Sequence, residues 1–215
     1  VKEKTKKIPL KAASDTSTEE RIKGAAKKIF LKKGYAATRT RDIAEEAGLN
    51  LALLNYYFRS KEKLFDIIML ENLQHFIEGI REILNDKETT IEQKIGTIVS
   101  NYIDLLIQQP DLPLFVLHEL RTNPKELISK IDREKFINRS YFMQQVREGI
   151  KEGKIAAVNP LHFLMNIIGL TIFPFVASPI LQNIGGLKQQ DFNVLMEERK
   201  KLIPVWIKAM MKKNK

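Results

Sequence analysis

The 215-residue sequence predicts an all-α protein in two parts, and three observations predict it. Apolar residues recur at i, i+3, i+4 and i+7 along nearly every segment, and almost none alternates like a strand. Glycines and capping residues punctuate these segments at helical lengths. Positive charge is concentrated at one end: residues 1–61 hold 15 Lys/Arg against 7 Asp/Glu, whereas residues 62–215 hold 21 against 19. A basic N-terminal quarter thus precedes a near-neutral helical remainder. The hydrophobic fraction of 44% and charged fraction of 29% suit a soluble globular chain with a sizeable core.

Residues 1–16 read as a flexible basic tail, rich in Lys, Ser and Thr and without periodicity. Thr18 can cap a first helix running to about Lys33, with Ile22, Ala25, Ala26, Ile29 and Phe30 as its apolar stripe and Gly34 as its stop. A short helix from Thr40 to Ala47 turns Ile43, Ala44 and Ala47 inward, and Gly48 supplies a left-handed stop. Asn50 can cap a third helix, Leu51 to Phe58. Ser60 caps a long helix from Lys61 to about Leu84, whose stripe reads Leu64, Ile67, Ile68, Glu71, Phe76, Ile80 and Ile83.

Asn85-Asp86 breaks that helix. Thr90 to Gln109 gives the next, stopped by Pro110, and Leu114 to Arg121 lies between two proline-marked boundaries. A long helix is predicted from Lys125 to Glu152, then one from Pro160 to Val176. The last runs from Asp191 to Met211, with a kink expected at Pro204. This division separates a three-helix unit over residues 17–62 from a longer helical part over residues 63–215.

Several function classes are disfavoured. The absence of cysteine removes disulfides, thiolate metal sites and Cys nucleophiles. His75, His118 and His162 are scattered, and there is no H-E-x-x-H, Gly-rich phosphate loop or nucleophile elbow. No enzyme, metal or cofactor is expected. The N-terminal apolar run stops at Ile8-Pro9-Leu10, unlike a signal peptide, so a cytoplasmic protein is expected. Ile155 to Leu187 carries no formal charge and is long enough to span a bilayer. However, His162, Asn166, Pro174, Pro179 and Gly185-Gly186 interrupt it, and a buried or subunit-interface helix is the preferred reading.

The stretch GLNLALLNYYF, Gly48 to Phe58, carries the function. Two short helices joined by a Gly-containing turn make a helix-turn-helix unit. Ala44 is small where the helices cross, Gly48 suits the positive-φ turn, and Leu49 can plug the gap behind it. Leu54 and Phe58 form the inner stripe of the second helix. Ala52, Asn55, Tyr56 and Arg59 share its other face at i, i+3, i+4 and i+7. Asn can pair with adenine and small apolar groups can meet a thymine methyl. Tyr hydroxyls can bond phosphate oxygens. Arg39, Arg41, Arg59 and Lys61 add sequence-independent, salt-sensitive attraction to a polyanion.

At Gly34 to Phe65 the sequence resembles the tetracycline-repressor (TetR) family of transcriptional regulators. Thr38, Ile43, Ala44, Ala47, Gly48, Leu54, Tyr57, Phe58, Lys61, Glu62 and Leu64 match the family's spacing. By that resemblance Thr40, Asn50, Tyr56, Tyr57 and Lys61 are expected at phosphates, and Ala52, Leu53 and Asn55 at bases. Each tyrosine has ordinary packing as its alternative. The sequence departs from the family at Leu51 and Ala52, where Lys or Arg and then Gly are frequent, and at Asn55, usually Tyr. Leu51 falls on the inner stripe by period and on the exposed face by resemblance, so its burial stays open.

The resemblance further implies a homodimer built from the last two long helices and a ligand cavity in each subunit. Phe163, Met165, Ile168, Phe173 and Phe175, with Leu195, Leu202, Val205, Trp206 and Met210, are the apolar residues available to such an interface. Double-stranded DNA with a near-palindromic operator, a second copy and a small apolar or amphipathic ligand are the implied partners; a membrane is not. Polar residues in apolar surroundings, Tyr102, His118, Glu119, His162 and Asn166, are the pocket candidates. A DNA-binding regulator controlled instead by a protein partner is the alternative. The Lys61–Leu84 helix is the expected lever between the two parts.

Overall fold

The computed structural model describes residues 12–122, 124–125, 139–157 and 159–212. Among them the regular elements are all helices: α1 (Ala12–Ala37), α2 (Thr40–Glu46), α3 (Leu51–Tyr57), α4 (Lys61–Asn85), α5 (Ile91–Gln108), α6 (Leu112–Thr122), α7 (Tyr141–Lys151), α8 (Leu161–Val176), α9 (Ser178–Gly185) and α10 (Gln189–Met211). The chain divides into two compact units, residues 1–70 and 71–215, with the division inside α4.

In the first unit, Ile22, Ala25, Ala26, Ile29 and Phe30 of α1 are all buried, the stripe that the helical period dictates. The helix starts earlier than the Thr18 cap predicts. Ala12 to Thr16 hold no Gly or Pro, so nothing in them stops the helix, and the flexible tail expected through residue 16 is corrected over residues 12–16. Residues 1–11 of that tail lie outside the described part. Gly34 adopts φ 74°, ψ 164°, a conformation that favours glycine, and ends the regular helix at Lys33 as expected. The chain makes one more turn before Thr38, which is buried and donates its hydroxyl to the Gly34 carbonyl at 2.7 Å. Phe30, Tyr35 and Phe65 close a small aromatic core, with Phe65 edge-on to Phe30 at 5.2 Å between centroids.

In the second unit α5 is central. Ile95, Ile98, Val99, Ile103 and Leu106 are buried, and α7, α8 and α10 pack on it. Thr90 and Gln93 form a reciprocal capping box at its start. The buried face of α4 differs from the predicted stripe. Phe65, Ile68, Met69, Leu73, Ile77 and Leu84 are buried, whereas Ile67, Glu71, Phe76, Ile80 and Ile83 are half-buried. The apolar residues of this helix cover more than half of its circumference, so period alone does not select the face. The long helix predicted from Lys125 is interrupted at Arg139-Ser140, because Ser140 takes extended geometry and caps α7 through the Met143 N–H at 3.3 Å. Residues 126–138 of that prediction lie outside the described part.

The uncharged run ends in two helices instead of one. Ala177 closes α8, and Pro179 sits in the first turn of α9, where a missing N–H costs nothing. The two helices meet at a 69° bend, and no single described helix is long and apolar enough to cross a membrane. Phe163, Ile167, Thr171, Pro174 and Phe175 face inward from α8, and Phe175 meets Phe192 of α10 edge-on at 5.8 Å. Arg199 ties α10 to α8 by donating to the Leu170 carbonyl at 2.7 Å.

Candidate nucleic-acid interface

The α2–α3 unit is built from short-range signals. Asp42 accepts the Arg39 backbone N–H at 3.0 Å and pairs with Lys33 at 3.1 Å. These bonds, the backbone one foremost, hold its carboxyl below the usual range. At the other end of α2, the Gly48 N–H donates to Glu45 and the Leu49 N–H to Ala44, both near 3 Å, with Gly48 at φ 64°. This is a Schellman stop, and it aims the chain into the next helix. The Arg21 guanidinium adds a bond to the Ala47 carbonyl at 2.9 Å, fixing that corner to α1. Asn50 then caps α3, its side-chain oxygen accepting the Leu53 N–H at 2.7 Å.

These bonds leave α3 with two distinct faces. Leu54 and Phe58 are buried, along with Ile43, Ala44 and Ala47 beneath them. Ala52 and Asn55 are exposed, and Tyr56 is 77% exposed. Leu53 and Tyr57 are half-buried, and Tyr56 meets Tyr57 edge-on at 5.3 Å. The position of Leu51 resolves in favour of the surface: it is 36% exposed. Arg39, just before α2, and Arg41 within it are exposed, and Thr40 is half-buried at its first turn. Within α3 the outward face is therefore uncharged, with the exposed cations Arg39, Arg41 and Arg59 outside that helix.

Lys61 occupies a different place from the other predicted phosphate contacts. Its ammonium donates to the Tyr35 and Thr38 carbonyls at 2.8 and 2.9 Å and lies 4.2 Å from the centre of the Tyr35 ring. Two of its three donors are thus committed to holding the α1–α2 turn. One donor is left for the phosphate contact expected of Lys61. Tyr35, Thr38 and Arg21, which sequence reasoning left unassigned, brace the site from behind. The readable signal was Thr38 four residues after Gly34, the spacing at which a hydroxyl reaches back to a carbonyl.

The five pocket candidates fall on three helices in unlike surroundings. Tyr102 packs its ring on Phe76 at 4.4 Å, and burial pushes its phenol well above the ordinary range. Asn166 is half-buried and donates to the Met210 sulfur at 3.4 Å. His118 and His162 are exposed and Glu119 is half-buried. The expectation of apolar surroundings is therefore corrected for both histidines, which lie on the outward sides of α6 and α8 beside exposed Leu117 and Leu161. Two clefts of this unit are lined by other residues. One, of about 430 Å³, is bordered by Asn72, His75, Phe76 and Asp104; the other, of about 530 Å³, by Tyr141, Gln145, Glu148 and Lys208.

Comparison with known proteins agrees with this architecture. Residues 22–68 match bacterial regulatory proteins of the tetR family, and residues 69–199 match the C-terminal region of YsiA-like proteins. The chain is 23% identical over 205 residues to the probable HTH-type transcriptional regulator YttP of Bacillus subtilis, covering 91% of this chain and 95% of that one. A TetR/AcrR-family transcriptional regulator from Thermobifida fusca shares the fold, with a TM-score of 0.62 at 19% identity over 87% of this chain and 97% of that one. FadR from Bacillus subtilis, solved in complex with stearoyl-CoA, superposes with a TM-score of 0.51 at 22% identity, covering 86% and 96%. With both parts of the sequence matched in order, the chain belongs to the TetR family of DNA-binding transcriptional regulators.

Proposed function

We propose that this chain is a homodimeric cytoplasmic repressor that grips a near-palindromic operator through α2 and α3 and is released by a small apolar or amphipathic ligand. The observation that carries the DNA-binding half is the split of α3: Leu54 and Phe58 inside, Ala52, Asn55 and Tyr56 outside. Asn55 is assigned to an adenine edge. Tyr56, Tyr57, Thr40, Arg39 and Arg41 are assigned to phosphates, with the third Lys61 donor. Occupancy of the operator would exclude other proteins from it, and the protein acts by binding and not by catalysis.

Dimerisation is supported by the apolar side chains that α8 and α10 leave uncovered. Met165, Ile168 and Phe173 on α8, and Leu195, Leu202, Val205, Trp206 and Met210 on α10, are exposed in the single chain. Their pairing with a twofold mate would present two copies of α3 to two half-sites. Ligand control is supported by the likeness to FadR, which binds stearoyl-CoA. A ligand releases DNA only if it binds better to the conformation whose reading helices are wrongly spaced. The proposed division is a DNA-binding domain over residues 17–62 and a sensing and dimerisation domain over 63–215, with α4 as the lever.

The test is selection of bound DNA from a random pool at moderate salt, with wild type beside the Asn55→Ala/Tyr56→Ala protein. Recovery of a near-palindromic site by wild type alone is expected. Equal, weak binding of all DNA by both proteins would remove the proposal.

A further inference from the structure

Within α3 itself, Leu51 to Tyr57, the exposed face carries no formal charge, and Arg59, which continues that side, lies beyond the helix end at Phe58; the helix is thereby limited in which base edges it can read. A bidentate contact to guanine O6 and N7 takes Arg or Lys, and acceptance from the cytosine amino group takes a carboxylate. Leu51 to Tyr57 contain neither. Asn50 flanks the helix but is occupied, because its oxygen holds the Leu53 N–H at 2.7 Å. The outward side chains that remain are Leu51, Ala52, Asn55 and Tyr56. Asn55 matches the adenine N6/N7 edge. Leu51 and Ala52 offer only carbon, and the thymine C5-methyl is the one apolar group that the major groove presents. Leu51 and Ala52 precede Asn55 by four and three residues, so all three project from one side of the helix.

We propose that Leu51 and Ala52 read thymine methyl groups, so that the half-site beneath α3 is a thymine–adenine element whose adenine is taken by Asn55. This rests on the DNA-binding reading above and assigns the chemistry that discriminates one sequence from another. Burying one methyl group from water corresponds to about a fourfold change in affinity. The two apolar residues therefore provide a preference that hydrogen bonds alone would not.

The experiment uses the full chain and the site recovered by selection. Each thymine of one half-site is replaced in turn by deoxyuridine, which removes the methyl and keeps the pairing. Binding is read by fluorescence anisotropy for wild type, Leu51→Ala and Ala52→Ser, with melting temperatures confirming that the variants fold. For wild type, one or two replacements per half-site are expected to weaken binding about fourfold each. Leu51→Ala and Ala52→Ser are each expected to erase the thymine-over-uracil preference at one position. A recovered site at which every replacement is silent overturns the inference and leaves the DNA-binding function standing. So does a pair of variants that retain the full wild-type preference everywhere. Recovery of no site at all overturns both together.

Discussion

At the residue scale, Asn55 and Lys61 separate reading from holding. Asn55 is exposed and projects from the uncharged face. Asn55→Ala is expected to cost about 1–3 kcal/mol at one position of each half-site and to relax base preference there, measured by competition with single-base operator variants. Lys61 is bound to the turn behind the site. Lys61→Ala is expected to destabilise the N-terminal unit by about 1–3 kcal/mol, because the Tyr35 and Thr38 carbonyls lose a charged donor. Its loss of DNA affinity should be the same for operator and random DNA. A Lys61→Ala protein that melts like wild type yet fails to bind only the operator would contradict that assignment. Sequence placed Lys61 correctly on its element but did not show its second task of holding the turn, since a side chain's commitment to distant carbonyls leaves no trace in local spacing.

At the element scale, the stops and caps decide the geometry. Gly48 sits at φ 64°, and a Cβ there would meet only the Arg21 guanidinium at 3.6 Å, so the objection to a side chain is conformational and not steric crowding. Gly48→Ala is expected to cost about 1–2 kcal/mol, seen as a lower melting temperature with weakened operator binding. The end of α1 and the bounds of α2 and α3 were legible because Gly34, Gly48 and Asn50 act within a few residues of the ends they define. The end of α8 at Val176 was legible as well, but α9 was not, because Pro179 reads as a breaker in sequence and serves as a helix start in place. The face of α4 and the exposure of His118 and His162 depend on which helices lie alongside, information that no short window holds.

The α4–α5 connection adds a further case at this scale. Lys94 is fully buried, and its ammonium donates to the Asp86 carbonyl and to both the carbonyl and hydroxyl of Thr89. Burial lowers its pKa from the ordinary 10.5. Below 10.5 the folded chain therefore holds fewer protons at this site than the unfolded chain, so the contribution of Lys94 to stability rises with pH until about 10.5. Lys94→Met should flatten that rise in urea unfolding at pH 7 and 10. It should also cost about 1–3 kcal/mol at neutral pH for the acceptors left unpaired.

At the scale of the whole molecule, the uncovered apolar residues of α8 and α10 are the ones that the proposed dimer would cover. Phe173 and Val205 are each 63% exposed in the single chain. Phe173→Glu/Val205→Glu is expected to yield a folded monomer by sedimentation, because burying two carboxylates against an apolar mate is unfavourable. That monomer should bind a single half-site weakly and lose its preference for two half-sites about 34–36 Å apart. A variant that stays dimeric would move the interface elsewhere. The fold class and the order of the two parts were readable from periodicity and charge. The pocket candidates lay on three separate helices from the start, and how their side chains are surrounded depends on packing between those helices, which polarity in an apolar run does not encode.

The absence of charge on α3 bears on how this protein behaves when the ionic composition of its surroundings changes. Counterions are released where cations meet phosphates, and here the cations lie on α2 and around the turns, not within α3, the helix proposed to distinguish bases. Operator and bulk DNA should therefore lose affinity along parallel slopes as electrolyte rises. The ratio between them, which sets the share of protein found on its own site, would stay nearly constant while absolute occupancy falls.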